Sequence, residues 1–232
     1  MELKSWNEKL QYLRKIINNP EEIEEVKKVI FELHNMVHVS EMAASKIKTF
    51  EDELWENLDE DTIRNGINEK GRTIAYGIWH SSRIEDITMN ILVDESQQIF
   101  EEGNWKDKIK SPIKNTGNAL TEEEIKKFSQ QINIIALREY RIAVGRKTRE
   151  IIKHLKTEDF KKKMKVANLQ RVLDEEAVEN IEKANWLIEF WGKKNEAGLL
   201  FMPVTRHNVV HINESLKAKK NYQRVKTSAN SR

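Results

Sequence analysis

Residues 73–93 read TIAYGIWHSSRIEDITMNILV and carry the strongest structural signal in the chain. The apolar residues of this segment recur mostly at intervals of three or four positions, which is the period of an α-helix. We predict a main helix over this range. Gly77 within it would let another backbone approach closely, because glycine has no side chain.

Helical periodicity also dominates the sequence on both sides of this segment. We predict further helices over about 3–18, from Pro20 to about 42, over 49–64, over 121–155 as one helix or a pair, and over about 180–218. Gly192, Gly198 and Pro203 are expected to break or kink the last of these. Residues 94–120, with two glycines and a proline, are predicted to form a long loop.

The order of these elements predicts the fold class. The sequence shows neither the strand–helix alternation of a parallel sheet nor a glycine-rich phosphate loop. Four main helices with a long crossover between the second and the third predict an all-α four-helix bundle with additional short helices. We expect residues 1–216 to form a single domain. Residues 217–232 hold six basic residues and no acidic one, and we expect a flexible C-terminal tail there.

Composition excludes several classes of function. The chain has 40 basic and 38 acidic residues, well mixed, so there is no strong global field for binding nucleic acid or a membrane surface. It has no cysteine, which excludes disulfides, a cysteine nucleophile and a zinc–thiolate site. We find no apolar signal segment and expect a cytoplasmic protein.

Histidine placement suggests a metal site. Residues 34–41 and 207–214 both read H-N-x-V-H-x-x-E, and they hold four of the six histidines. Two histidines four positions apart on a helix share one face and can bind one divalent metal. Glu214 lies on the face of His207 and His211, where a carboxylate can orient an imidazole. His34 and His38 could complete the same pocket, form a second metal site, or simply pack.

The segment Trp79-His80-Ser81-Ser82-Arg83-Ile84-Glu85, followed by the octad at 207–214, resembles the DinB superfamily of damage-inducible-type proteins and metal-dependent thiol transferases. The resemblance covers roughly 22–216 and implies a four-helix bundle. It also implies that His80 from the second helix, with His207 and His211 from the fourth, binds a divalent metal. The chain departs from that pattern in its length, in a large segment between the third and fourth helices, and in carrying His34 and His38.

Three imidazoles leave a coordination position open, as in catalytic metal sites, and zinc or nickel suits nitrogen ligands. The resemblance implies transfer of a low-molecular-weight thiol to an electrophile, with Arg83 or Arg206 as candidates to hold a carboxylate of the thiol. His38, Glu214 and Arg83 are the candidate additional pocket residues. The alternative is a non-catalytic metal-binding or stress-response protein on the same scaffold. A homodimer formed through apolar helix faces is also left open.

Overall fold

A computed structural model describes residues 1–230 of the chain. Within that range the regular structure is helical, without a β-strand. The helices are α1 (Leu3–Ile16), α2 (Ile23–Met36), α3 (Phe50–Trp55), α4 (Glu60–Asn65), α5 (Ile74–Asp86), α6 (Ile99–Glu102), α7 (Trp105–Ile109), α8 (Glu122–Gln131), α9 (Ile134–His154), α10 (Val166–Asp174), α11 (Glu182–Gly192), α12 (Glu196–Phe201) and α13 (His207–Asn230). No helix in the described range is both long enough and apolar enough to cross a membrane.

Helix α5 lies at the centre of the molecule. Every residue from Ile74 to Asp86 is buried, which is expected only of a helix that is covered on all sides. It packs against α9 and α13, and it continues as a π-helical segment over Ile87–Val93. Gly77 faces α13 closely, since a Cβ atom there would lie 3.1 Å from Ser215 Oγ.

Apolar side chains form three main clusters around this central helix. The first joins α1 and α2 to the end of α9, and its Trp6 indole donates to the Leu33 carbonyl at 3.0 Å. The second surrounds Trp79 of α5 and Tyr140 of α9. The third packs the C-terminal part of α5 and its π-helical extension against α10, α11 and α12, around Trp191. Helix α5 contributes residues to the second and third clusters, and its π-helical extension contributes Met89 to the first.

The all-α class is confirmed for the described residues. The arrangement as a four-helix bundle with a crossover stays a prediction. The segment 94–120 contains the short helices α6 and α7, so it is more ordered than a loop. The long helix expected from Pro20 to about 42 ends at Met36, and the segment expected as one short helix over 49–64 is divided into α3 and α4.

The basic C-terminal segment, expected as a flexible tail, is helical as far as Asn230. Helix α13 continues to Asn230, and residues 231–232 lie outside the described range. The Lys219 ammonium donates to the carbonyls of Glu53 and Leu54 at 3.0 Å each, and also to the Glu56 carbonyl. A cation at the C-terminal end of α3 satisfies carbonyls that the helix itself leaves unpaired. This basic segment therefore packs along α3.

Candidate metal centre

Three histidines from two helices meet in the interior. His80 comes from α5, and His207 and His211 come from the first turns of α13. The Nε2 atoms of His207 and His211 are 3.2 Å apart. The His80 ring centroid lies 5.2 Å from that of His207 and 5.0 Å from that of His211. One ring nitrogen from each residue lies within 4.8 Å of the others, so the three can address one ion.

A π-helical turn lies immediately before His207 and His211. Residues Met202–Arg206 are π-helical, and Pro203 in this turn has no amide hydrogen to donate. Side chains satisfy the carbonyls that the turn leaves free: Thr205 Oγ1 donates to Leu200 O at 2.9 Å, and Asn208 Nδ2 donates to Pro203 O at 3.1 Å. The proline that was expected to break or kink the helix thus lies in a π-helical turn immediately before the histidine pair.

The orientation of His80 is fixed by a carbonyl. Its Nδ1 lies 2.8 Å from the Thr116 oxygen, so Nδ1 carries the hydrogen and Nε2 keeps a lone pair. The Tyr76 ring stacks on the imidazole, with a centroid distance of 5.5 Å and an interplanar angle of 13°. A hydrogen bond from the non-ligating nitrogen is the usual way in which a protein sets the tautomer of a metal-binding histidine.

Thr116 belongs to a loop, residues 114–117, whose four successive carbonyls all bind side chains of α5. Besides His80, three side chains of α5 donate to them: Tyr76 OH to Gly117 O at 3.0 Å, Trp79 Nε1 to Asn115 O at 3.2 Å, and Arg83 Nε to Lys114 O at 2.9 Å. The loop therefore lies firmly along the helix, and Thr116 is held in place against His80.

Burial keeps the three imidazoles neutral. It lowers the pKa of His80 to about 4, and it lowers the pKa values of His207 and His211 well below the ordinary value. The mutual repulsion of the rings and the positive charge of Arg72 act in the same direction. A neutral imidazole is the form that binds a metal, so the site does not depend on losing a proton at neutral pH.

The spacing fits a small divalent ion. With metal–nitrogen bonds of about 2.0 Å, two ligands of a tetrahedral zinc site lie about 3.3 Å apart. The 3.2 Å between His207 Nε2 and His211 Nε2 is close to that edge. The His207 Nδ1 atom is buried and has no hydrogen-bond partner, so only its Nε2 is engaged at the cluster.

Glu214 lies near the histidines. Its Oε2 atom is 3.5 Å from His211 Nδ1, and its other oxygen accepts from the Lys70 ammonium at 2.6 Å. The carboxylate is therefore placed to attract the ring hydrogen of His211, while the Asn68 amide donates to the same oxygen at 3.4 Å and Lys70 binds the other oxygen. The orienting role that the sequence suggests for Glu214 stays a prediction.

Arg83, expected among the pocket residues, has its guanidinium engaged by other residues of the core. It is fully buried, and its guanidinium donates to Asp86 at 2.9 Å, to Tyr140 at 3.0 Å and to Gln98 at 2.6 Å. Every one of its donor nitrogens has a partner within the protein. Its geometry is that of a structural ion pair and leaves no guanidinium face for a substrate carboxylate. The other candidate, Arg206, is exposed.

His34 and His38 form a separate cluster with Glu85. Their Nε2 atoms lie 2.8 and 3.0 Å from the two oxygens of that carboxylate. His38 is therefore not a fourth partner of the three histidines within 4.8 Å.

Sequence reasoning missed Thr116 as the partner of His80. It acts through its carbonyl, which no side-chain pattern reveals. It also missed Glu85 and Asn208, although both lie inside the quoted motifs.

Comparison with known proteins finds no matching family model and no matching curated protein. The DinB resemblance rests on the short motifs alone and stays a prediction.

Proposed function

We propose that the protein is a divalent-metal-dependent enzyme of the DinB type, which transfers a low-molecular-weight thiol to an electrophile. The observation that carries the proposal is the convergence of three neutral histidines, His80, His207 and His211, of which the first and the last are buried. The Nε2 atoms of His207 and His211 are 3.2 Å apart. Three nitrogen ligands leave a coordination position for a substrate atom, as in catalytic zinc sites.

When bound, the metal would supply Lewis acidity, which makes a coordinated thiol nucleophilic at neutral pH. The chain's own groups would orient the ligands. Thr116 holds the His80 ring through Nδ1, and Glu214 attracts the hydrogen on His211 Nδ1. Both interactions direct a lone pair of the other nitrogen towards the cluster.

Arg72 takes the anion-binding role that the sequence assigned to Arg83 or Arg206. It is partly exposed, its guanidinium lies 6.0 Å from the Tyr76 ring centroid, and its charge acts on all three imidazoles. A guanidinium at this place would bind the carboxylate of a thiol cosubstrate. Since the chain has no cysteine, the thiol must come from outside.

A non-catalytic metal-binding role is the second candidate, and one observation favours it. A cavity lined by His211, Glu51 and Arg141, among others, has a volume of about 10 Å³. That volume holds about one water molecule and no organic thiol. An ion in such a place would tie α5 to α13 without turning over a substrate.

Metal analysis of the untagged protein tests the proposal. We expect about one tightly bound zinc or nickel ion per chain, lost in the His207→Ala/His211→Ala double variant and kept in His154→Ala, which changes an exposed histidine at the end of α9. Equal metal content in the wild type and the double variant would contradict the site.

Thiol binding separates the two candidates. We expect the cobalt-substituted protein to develop a sulfur-to-cobalt charge-transfer band when a carboxylate-bearing thiol is added, and the band to weaken in Arg72→Met. A spectrum that does not respond to thiols at millimolar concentration would leave the non-catalytic role.

A further inference from the structure

A second group of metal-ligand residues lies in the core beside the first. His34 Nε2 is 2.8 Å from one oxygen of Glu85, and His38 Nε2 is 3.0 Å from the other. One nitrogen of each ring and a carboxylate oxygen lie within 4.8 Å of one another. All three side chains are between 0 and 1% exposed.

The end of α2 brings the two rings together. The helix ends at Met36, and Val37 adopts φ −102° and ψ 9°, so His38 already lies beyond the last helical turn. Its ring centroid comes to 4.4 Å from that of His34, with the planes at 48°. Both Nε2 atoms thereby point at a carboxylate that α5 supplies from the opposite side.

The buried carboxylate has unusual partners. Among the described residues, Glu85 forms no ion pair with lysine or arginine; its partners are the two imidazoles and the amide of Asn208 at 2.7 Å. A buried carboxylate is ordinarily paired with a cation or coordinates a metal. Two histidines and one carboxylate also form a recurrent ligand set for zinc and for iron.

We propose that His34, His38 and Glu85 form a second divalent-metal site, distinct from the site of His80, His207 and His211. His80 and Glu85 are five residues apart on α5, which corresponds to about 7.5 Å along the helix axis. Two ions that share one reaction lie about 3.5–4 Å apart, so this geometry predicts two separate sites.

The two sites differ in how many of their histidines have a partner that fixes the ring in a metal-binding tautomer. At the first site the Thr116 carbonyl fixes the tautomer of His80, and only His207 Nδ1 is buried without a hydrogen-bond partner. At the second site the Nδ1 atoms of both histidines, His34 and His38, have no partner. Each ring can therefore move its hydrogen to Nδ1 when Nε2 binds the ion. To bind an ion, the two Nε2 atoms must also move away from the carboxylate oxygens of Glu85. Their distances of 2.8 and 3.0 Å would increase by a few tenths of an ångström, towards the edge of about 3.3 Å between two ligands of a tetrahedral zinc site.

This difference predicts unequal affinities. Loss of an orienting partner typically weakens metal binding by about 10–100-fold, so the second ion should bind more weakly by a factor in that range. The proposal needs only the cluster itself. It does not depend on thiol transfer at the other site.

Titration of the full-length, metal-free protein with zinc and with cobalt tests this proposal. The wild type should bind two ions in two resolved steps. The His207→Ala/His211→Ala double variant should keep the weaker step, and Glu85→Gln, which preserves shape but removes the charge, should lose the weaker step and keep the stronger. His154→Ala should leave both steps unchanged.

Gly145→Ala provides a variant that leaves every ligand in place. A Cβ atom at this position would lie 2.8 Å from His38 Nδ1 and 2.9 Å from His38 Cε1, so it must displace the His38 ring. Within helix α9, alanine is otherwise the better helix former. We expect the weaker step to shift to higher metal concentration by at least tenfold, with the stronger step unchanged.

Two results would overturn the proposal. In the first, the wild type saturates at one ion and the double variant binds none. In the second, folded Glu85→Gln keeps both binding steps unchanged. If Glu85→Gln does not fold, unchanged steps in Gly145→Ala would overturn it. If instead His80, His207 and His211 bind no metal, the wild type and the double variant would bind the same single ion. This result is distinguishable from failure of the second site.

Discussion

At the scale of single residues, the most informative position is Arg83. The motif around His80 suggested a side chain that faces a substrate, whereas the guanidinium lies in the core with Asp86, Tyr140 and Gln98. It also lies 4.2 Å from the Phe100 ring centroid. Asp86 in turn accepts the amides of Ile99 and Phe100, so the ion pair ties α6 to the central helix.

Arg83→Met should therefore act on stability and leave metal binding intact. Removing one partner of a buried ion pair leaves the other charge unpaired and costs about 3–5 kcal/mol. Urea unfolding measures the loss, and metal content per folded chain should not change. The matched control is Arg138→Met, whose partly exposed pair with Glu41 should contribute less than about 1 kcal/mol. A stable Arg83→Met protein that no longer binds thiol would instead support the role in substrate binding.

The histidines show what a sequence reveals at this scale. His207 and His211 are four positions apart in a helix, and this spacing correctly placed both rings on one face. The His34 and His38 rings, at the same spacing, also come together, with centroids 4.4 Å apart, although the helix ends between them. Their approach depends on the turn after Met36 and on Glu85 from another helix, and neither follows from local periodicity.

At the scale of elements, the periodic pattern identified the long helices, and their ends were harder to place. The continuous pattern over 121–155 is divided at Ile132 and Asn133, where the Asn133 side chain accepts from the amides of Ile135 and Ala136 and starts α9. Asparagine has this effect because it competes with the helix for backbone hydrogen bonds. The apolar periodicity alone is compatible with one helix or two over this range.

Besides carrying two histidines of the candidate metal centre, helix α13 binds the end of α3 through Lys219. Its ammonium caps the C-terminal carbonyls of α3, so Lys219→Met should destabilise the protein by roughly 1–2 kcal/mol through the loss of charged hydrogen bonds. Chemical unfolding measures the effect. Lys220→Met is the matched control, since the neighbouring side chain is exposed. Equal stability of the two variants would support the flexible tail that the sequence suggested.

At the scale of the whole molecule, we expect the carboxyl group of Glu196 to make the free energy of unfolding depend on pH. Burial raises the pKa of Glu196 to about 7, and the negative charge of Asp159 adds to the effect. One of its oxygens is buried without a hydrogen-bond partner. The folded protein therefore binds a proton here that the unfolded chain has already released.

A raised carboxyl pKa makes stability fall as pH rises. Between about pH 4.5 and 7 the folded state holds the extra proton, so the free energy of unfolding should decrease through this window. Glu196→Gln should remove the dependence and stabilise the protein at pH 8, by on the order of 1 kcal/mol. Glu189→Gln, at an exposed position of α11, is the control. An identical pH profile in wild type and Glu196→Gln would rule out this cause.

The loop at 114–117 has a consequence for how the sequence can change. Helix α5 supplies side chains to this contact, whereas the loop supplies only main-chain oxygens. Every residue type carries such an oxygen, so the contact with α5 does not itself depend on which side chain stands at position 114. Asn115 and Thr116 are constrained for another reason, because their side chains accept the amides of Gly117 and Asn118 and so shape the loop. Gly117 is constrained by its φ of +70°, which suits glycine. Substitutions at Tyr76, Trp79, His80 and Arg83 should therefore disturb this contact more than a substitution of Lys114.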